Sequence, residues 1–136
     1  MLKQGLDVYV PLVDDNAIDA VIRRADGSFI EVQLKARSKD IAFEDAALFS
    51  ALTHELRENY WFVFYSEWLE TTWIMTSQEF IAASNQNKTG KNVGKRSIWF
   101  NGMRRNKDTL LREPYVKKQF EKYVVTDFAK LTNPQA

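Results

Sequence analysis

An acid, an amide and a lysine occupy positions that a β-hairpin would bring together. They are Asp19, Gln33 and Lys35, and the pair Asp26-Gly27 between two apolar runs is a strong signal for a tight hairpin turn. Because side chains alternate along a strand, Gln33 and Lys35 share one face of the second strand. A carboxylate can bind a divalent cation, and a lysine can steady an attacking water or a developing charge. The pattern therefore suits metal-assisted hydrolysis.

The same strand face carries a second acid. Glu31 lies two residues before Gln33, and Phe29 falls on this face too, whereas Ile30, Val32 and Leu34 are expected to point into a core. Asp19 joins the polar row if its face matches. A simpler interpretation is that Glu31 and Lys35 form an ion pair on an exposed strand, where such a pair contributes less than about 1 kcal/mol.

The arrangement of Asp19, Gln33 and Lys35 resembles the PD-(D/E)XK nuclease superfamily, which has the restriction-endonuclease-like fold. There an Asp at the end of one strand pairs with an acid-x-Lys on the next. Gln33 departs from the usual acid and resembles a Gln-x-Lys branch of small homing endonucleases and uncharacterised bacterial families. In that branch the preceding segment reads much like residues 5–15. The resemblance covers about residues 5 to 80.

The resemblance implies a divalent-metal-dependent DNA endonuclease that uses Mg²⁺ or Mn²⁺. Asp19 would bind the metal, and the backbone carbonyl of Leu34 would complete the protein ligands. Gln33 would hold the metal's water or bind weakly through its amide oxygen, and Lys35 would orient the nucleophilic water or stabilise the pentacovalent charge. Glu31 would serve as a substitute acid, because the absence of a carboxylate at position 33 should weaken binding of Mg²⁺.

A second hypothesis is a catalytically inactive module that keeps the nuclease fold and acts in DNA binding or assembly. Gln33 supports it, and so does the start of the chain. Lys3-Gln4-Gly5 reads as the tail of a helix that ends at Gly5, so we expect the leading helix of the fold to be truncated. The uncovered sheet face then predicts a homodimer or a larger homo-oligomer.

The remaining pattern predicts a single α/β domain over residues 1–136, with a mixed central sheet and flanking helices. Strands are expected at 6–10, 16–23, 28–36, 60–65, 71–75 and 97–100. A helix is expected to begin near Ser38 and to end at Asn59, and a second to run from Thr76 or Ser77 to Ala83. A final helix is predicted from Glu113 to Tyr123, with Pro114 at its start.

Charge is distributed unevenly along the chain. Residues 1–87 have a balance of −7, whereas residues 88–122 hold 11 Lys or Arg and 3 Asp or Glu, a balance of +8. A basic segment beside an acidic site suits an enzyme that acts on a phosphodiester. Lys95, Arg96, Arg104 and Arg105 flank Trp99 and are the candidate DNA-binding residues. The alternative is that this segment is only a solvated loop and helix.

Composition excludes several classes of protein. The chain has no cysteine, so it has no disulfide framework or thiolate metal site, and its one histidine rules out a multi-histidine zinc centre within one chain. That residue, His54, is expected at the surface. No apolar run is long enough to span a bilayer, and the first residues do not form a signal peptide. We therefore expect a cytoplasmic protein without a membrane partner.

Overall fold

The computed structural model describes residues 7–9 and 18–133 and contains a mixed α/β fold. Two short 3₁₀ helices, Phe43–Asp45 and Lys118–Tyr123, accompany two α-helices, α1 (Ser77–Ala83) and α2 (Ala129–Thr132). The strands in chain order are β1 (Asp7–Tyr9), β2 (Ala20–Arg23), β3 (Phe29–Arg37), β4 (Leu48–Leu52), β5 (Tyr60–Ser66), β6 (Thr71–Thr76), β7 (Asn85–Gln86), β8 (Arg96–Trp99), β9 (Asn101–Arg105), β10 (Arg112–Val116) and β11 (Val124–Val125).

The central sheet has six strands in the order β1-β2-β3-β5-β6-β11. The β3 and β5 strands pair in parallel, and every other neighbouring pair in this sheet is antiparallel. The predicted mixed central sheet is therefore confirmed. The long β3 strand lies between β2, its hairpin partner, and β5, its parallel partner. It therefore has backbone hydrogen bonds on both sides.

One face of the central sheet carries an aromatic core. Phe62, Phe64 and Trp73 are fully buried there, and a smaller sheet in the order β4-β8-β7 packs over them through Phe49 and Ile98. The rings of Phe49 and Phe64 lie 4.8 Å apart, within the range of favourable aromatic pairs. This core holds β5 and β6 in place beneath the second layer.

The opposite face is covered less completely. Ile22, Ile30 and Val32 are buried there against Leu131 of α2. Leu34, which the alternation predicts to be in a core, is 42% exposed instead. That prediction was wrong: alternation gave the face of Leu34 correctly, but the side chain is not part of the buried cluster on that face.

The helix predicted between Ser38 and Asn59 is absent. Only a 3₁₀ turn at Phe43–Asp45 forms, followed by β4, which pairs antiparallel with β8. Ala51 has a φ of 57°, outside the helical region, and the ladder shifts register between Phe49 and Leu52. Apolar residues with helical spacing became a strand here because β8 supplies their backbone partners, a tertiary effect that outweighs local pattern.

The predicted final helix is also wrong. Residues Arg112–Val116 form β10, which pairs with β9, and only Lys118–Tyr123 turn as a 3₁₀ helix. Pro114 lies in this two-stranded hairpin, where an edge strand tolerates the missing N–H. Phe120 and Tyr123 are buried at a spacing of three residues, which fits the 3₁₀ period.

Two local predictions are confirmed. Thr76 caps α1, where its hydroxyl accepts a hydrogen bond from the Glu79 N–H and the Glu79 carboxylate accepts one from the Thr76 N–H. At the β2–β3 turn, Asp26 accepts hydrogen bonds from the backbone N–H and the hydroxyl of Ser28. Gly27 there has a φ of 87°, which glycine adopts without a Cβ clash.

The predicted tail of a leading helix at Lys3-Gln4-Gly5 lies outside the described residues. Within the described residues, no helix is both long and apolar enough to cross a bilayer.

Candidate active site on strand β3

The polar row of β3 lies on the same sheet face as the aromatic core. In the parallel ladder Glu31 is beside Tyr60, Gln33 beside Phe62 and Lys35 beside Phe64. Paired residues in neighbouring strands point to the same face. Glu31, Gln33 and Lys35 are each half-buried, whereas their aromatic neighbours on β5 are buried. The three polar side chains therefore form a margin along the core, and the prediction that they share a face is confirmed.

Asp19 lies just before β2 and is tied to β3 through its side chain. Its backbone N–H donates to the Val32 carbonyl at 2.9 Å, and its carboxylate Oδ2 accepts a hydrogen bond from the Leu34 N–H at 2.7 Å. Since β2 begins at Ala20, this carboxylate provides an acceptor beyond the end of the ladder. The N–H and carbonyl of one residue point to the same neighbouring strand, so the Leu34 carbonyl faces the same edge as Asp19.

Gln33 is held by Tyr60. The Tyr60 hydroxyl donates a hydrogen bond to the Gln33 amide oxygen at 3.0 Å. Burial raises the pKa of Tyr60 to about 12, and the carboxylates of Asp19 and Glu31 also raise it, while Arg57 acts in the opposite direction. The phenol therefore stays protonated at neutral pH, and it fixes the orientation of the amide.

Glu31 is paired with a cation. Its carboxylate lies 3.0 Å from an Arg57 guanidinium nitrogen, and the same guanidinium stacks over the Tyr60 ring at 4.6 Å from the centroid. Both charged side chains are about one-third exposed, so the pair contributes modestly to stability. The pair nevertheless directs the Glu31 carboxylate towards Arg57, so the proposed substitute acid has a partner that a metal would have to displace.

Lys35 differs from its neighbours in the row. It is half-buried, and its ammonium has no hydrogen-bond or ion-pair partner among residues 7–9 and 18–133. A half-buried cation without a protein acceptor is available for an anion. Lys35 is the last polar residue of the row. At this end of β3 the Leu34 N–H holds the Asp19 carboxylate, and the Tyr60 hydroxyl holds the Gln33 amide.

His54 was predicted to lie at the surface, and this prediction was wrong. The residue packs beside the polar row of β3. It is half-buried, with its ring stacked on Tyr60 at 5.2 Å and in edge contact with Phe62 at 4.8 Å. Its Nε2 lies 2.6 Å from the hydroxyl of buried Ser77, which also accepts a hydrogen bond from the Arg57 N–H. Burial, with Arg57 and Arg96, lowers the pKa of His54 to about 4. The neutral ring thus supports the Tyr60 side of the site.

The candidate DNA-binding residues lie in two stretches of chain that belong to different sheets. Lys95 and Arg96 lie at the start of β8, where an Arg96 guanidinium nitrogen donates to the Ile81 carbonyl. Arg104 and Arg105 end β9, eight residues after Arg96. Arg96 lies in the sheet of β4, β8 and β7, whereas Arg104 and Arg105 lie in the separate sheet of β9 and β10.

Trp99, between these pairs, is 42% exposed, and the Lys117 ammonium lies over its ring at 5.3 Å.

The donor chemistry at the β3 edge allows a hard cation, although acids are few. Among the described residues no three His, Asp or Glu side chains gather closely enough to hold a metal ion. Mg²⁺ is commonly bound through one or two carboxylates together with several waters, so three acids are not required. Asp19, the Leu34 carbonyl and the amide oxygen of Gln33 are all oxygen donors of the type Mg²⁺ accepts.

Comparison with known proteins assigns no family to this chain. No protein-family model matches the chain, and no curated protein matches it. Among solved structures, a bacterial homing endonuclease, I-Ssp6803I, is similar with a TM-score of 0.46 and 22% sequence identity. The match covers 70% of this chain and 77% of that chain. This similarity is too distant to assign roles to residues.

Proposed function

We propose that the protein is a divalent-metal-dependent DNA endonuclease that hydrolyses phosphodiester bonds. The observation that carries the proposal is the hydrogen bond between the Asp19 carboxylate and the Leu34 N–H. It fixes an acid at the edge of β3, one residue from Lys35 along that strand. An acid held by β3 and a lysine on the same strand are suited to binding a cation and an anionic substrate together.

Asp19, the Leu34 carbonyl and Gln33 would hold Mg²⁺ or Mn²⁺. The bound cation would supply Lewis acidity towards the phosphate and lower the pKa of a water. The hydrogen bond from Leu34 leaves the other carboxylate oxygen of Asp19 open towards solvent, since Asp19 is exposed. The Tyr60 hydroxyl keeps the Gln33 amide oxygen in place.

The role of Lys35 follows from its position. Its ammonium would place a positive charge beside the phosphate or orient the attacking water by donating a hydrogen bond to it. Lys35 as a residue is half-buried beside the aromatic core, so its charge is less screened than that of a fully exposed lysine. Stabilisation of charge that grows during the reaction is the contribution we assign to Lys35.

The alternative, a catalytically inactive DNA-binding or assembly module, is favoured by one observation. Glu31, the second acid of the row, is engaged with Arg57 at 3.0 Å. An inactive protein would retain the polar margin as a surface feature and bind no cation there. Metal-dependent cleavage separates the two hypotheses.

The experiment is a cleavage assay on supercoiled plasmid and on single-stranded and branched DNA, with Mg²⁺ or Mn²⁺. The wild-type protein should nick or cut one of these, and Asp19→Asn should reduce the rate by at least about 10²-fold, because the substitution removes the carboxylate that the Leu34 N–H holds at the edge of β3. Asp40→Asn, the same change at an exposed acid beyond β3, is the matched control. Absence of cleavage with every DNA and metal would favour the inactive module.

The homodimer or larger assembly remains a prediction. Leu34 and Tyr65 are 42% and 38% exposed on the less covered sheet face, which offers apolar surface to a second subunit. Sedimentation velocity at micromolar concentration should show a dimer or larger species, and a monomer would remove this part of the proposal.

A further inference from the structure

The β9–β10 hairpin is anchored at its base and free at its tip. At the base Asn101 is 1% exposed, and its side chain accepts a hydrogen bond from the Ala47 N–H and donates one to the Glu44 carbonyl. Exposure rises along both strands, so that Arg104 and Arg105 on one and Arg112 on the other are exposed. The hairpin forms a two-stranded sheet of its own, separate from the other two sheets.

The hairpin places two arginines directly opposite each other. Arg105 pairs with Arg112 in the antiparallel ladder. Like charges at directly opposite positions destabilise a sheet. Glu44 lies 4.0 Å from Arg112, and the Arg105 Nε donates to the Leu110 carbonyl, so among the described residues Arg105 has no carboxylate partner. A phosphate bound between them would offset this repulsion and accept hydrogen bonds from both.

The tip of the hairpin is a rigid turn that exposes two leucines. The Asn106 side chain accepts hydrogen bonds from the N–H groups of Asp108 and Thr109, and the Asn106 N–H donates to the Leu111 carbonyl. Leu110 has a φ of 62°, which strains a residue with a Cβ. Leu110 and Leu111 are 64% and 68% exposed. Apolar side chains held in solvent on a strained turn point to a contact that the isolated domain lacks.

The hairpin emerges at the Lys35 end of β3. The chain leaves β3 at Arg37 and reaches the 3₁₀ turn at Phe43–Asp45, against which both hairpin strands pack. Glu44 of this turn contacts both Asn101 and Arg112. This turn therefore links the base of the hairpin to the end of β3 that carries Lys35.

We propose that the β9–β10 hairpin is a DNA-contacting arm. Arg105 and Arg112 bind one backbone phosphate between them, and Leu110 and Leu111 contact the bases or sugars of the adjacent groove. A two-stranded ribbon fits the major groove, and apolar tips are used against base steps. The proposal rests on the proposed function, because it takes the substrate of the β3 site to be DNA.

An anionic membrane is the other surface that a basic hairpin with an apolar tip could bind. DNA is favoured because two arginines paired directly across the ladder can both donate to one phosphate and because the arm lies at the same end of β3 as Lys35. A flat lipid surface needs neither feature. Vesicle binding is therefore included as an outcome of the test.

The experiment measures binding of a mixed-sequence duplex of about 30 base pairs in Ca²⁺, which permits binding without turnover, over a range of salt concentrations. Arg105→Ala with Arg112→Ala should raise Kd about 10-fold or more and lower the log–log salt slope by about 0.9, the value for one phosphate. Lys88→Ala with Lys91→Ala is the control, because these exposed lysines lie beyond β7, at the sheet edge farthest from β4. The control should change the slope less.

The leucines provide a second, independent readout. Leu110→Ser with Leu111→Ser should raise Kd about 3- to 10-fold without changing the salt slope, because an apolar contact releases no counterions. Both leucines are solvent-exposed, so the variant should fold normally.

Three results would overturn the proposal. The first is an arginine double variant with the slope and Kd of wild type. The second is an equal loss in the Lys88 and Lys91 control. The third is hairpin-dependent binding to vesicles of phosphatidylserine and phosphatidylcholine without duplex binding. Hairpin-dependent binding of the duplex by a protein that cleaves no DNA would uphold the arm and reject the nuclease, so the two proposals fail separately.

Discussion

Two antiparallel hairpins in this protein differ in their place in the fold and in how much of them is buried. The β2–β3 hairpin lies inside the six-stranded sheet, and Ile30 and Val32 on it are almost fully buried. The β9–β10 hairpin forms a sheet of its own, and its tip residues Leu110 and Leu111 are more than 60% exposed. The first can fix side chains for chemistry, because its neighbours restrict them, whereas the second offers a surface to a partner.

Charge follows the same division. On β3 Glu31 and Gln33 have defined side-chain partners, Arg57 and Tyr60, whereas Lys35 has none among the described residues. On the outer hairpin Arg105 and Arg112 oppose each other; Glu44 lies 4.0 Å from Arg112, and Arg105 has no ion pair among the described residues. Partnered groups are held in position, whereas like charges that lie opposite each other favour the binding of an anion. Lys35 and the arginine pair are therefore the two places where we expect phosphate.

The largest expected effect separates chemistry from binding. Lys35→Met should lower the single-turnover cleavage rate about 10²- to 10⁴-fold even at saturating protein, because charge stabilisation in the reaction is lost. Lys39→Met, a matched change at an exposed lysine beyond β3, is the control. The defect of the Arg105→Ala and Arg112→Ala variant should shrink as protein concentration rises. A Lys35 variant within threefold of wild type would remove its catalytic role.

The hairpin that carries the site could be predicted from sequence, and the outer one could not. Asp26-Gly27 and the alternation of β3 are local signals, and each agrees with the tertiary structure. The outer hairpin turns through Asn106 to Leu111 and has no Gly in the turn, so it lacks the usual signal. The sequence of its second strand also predicts the start of a helix at Pro114. Pairing with β9 makes this segment a strand instead.

Within the site, sequence predicted residue types and faces but not partners. The common face of Glu31, Gln33 and Lys35 follows from the period of a strand. The contacts from Tyr60 and Arg57 arise because β5 returns parallel to β3, a long-range pairing. His54 was misplaced for the same reason, since the expected helix around it would have left it at the surface.

The next effect concerns stability. It tests whether side chains on the two hairpins contribute differently to the free energy of unfolding. Ile30→Ala should lower the free energy of unfolding by about 2–5 kcal/mol, because the side chain is 1% exposed and its removal leaves a cavity. Leu111→Ala should change it by less than about 0.5 kcal/mol. Urea denaturation measures both. Equal losses would mean that the outer hairpin is part of the core.

A smaller effect depends on pH and concerns the stability contribution of His54, which packs on Tyr60 beside β3. The pKa of His54 is lowered from 6.5 to about 4 in the folded protein, so the unfolded chain binds a proton first as pH falls. Stability is therefore full above pH 6.5 and declines between pH 6.5 and about 4. Because the ring is only half-buried, we expect a loss of about 1–2 kcal/mol rather than the full shift.

Urea denaturation at several pH values between these limits measures the decline. His54→Gln should flatten it, since His54 is the chain's one histidine. A decline of the same steepness in His54→Gln would assign it to carboxylates instead.

The smallest effects compare the two turns. Gly27→Ala should destabilise the protein by about 1 kcal/mol, because alanine is strained at a φ of 87°. Leu110→Gly should be neutral or stabilising by up to about 1 kcal/mol, since glycine relieves the strain at a φ of 62°. Thermal unfolding measures both. Destabilisation by Leu110→Gly would show that the leucine packs in the free protein.

The central claim is that the edge of β3 holds a divalent cation through Asp19. A calorimetric titration of Mn²⁺ into the wild type, Asp19→Asn and Glu31→Gln tests it directly. The account predicts saturable binding by the wild type, a loss of at least about 10-fold in affinity for Asp19→Asn, and a change of less than about 3-fold for Glu31→Gln. Affinity that is unchanged in Asp19→Asn, or lost to the same extent in both variants, would contradict the assignment.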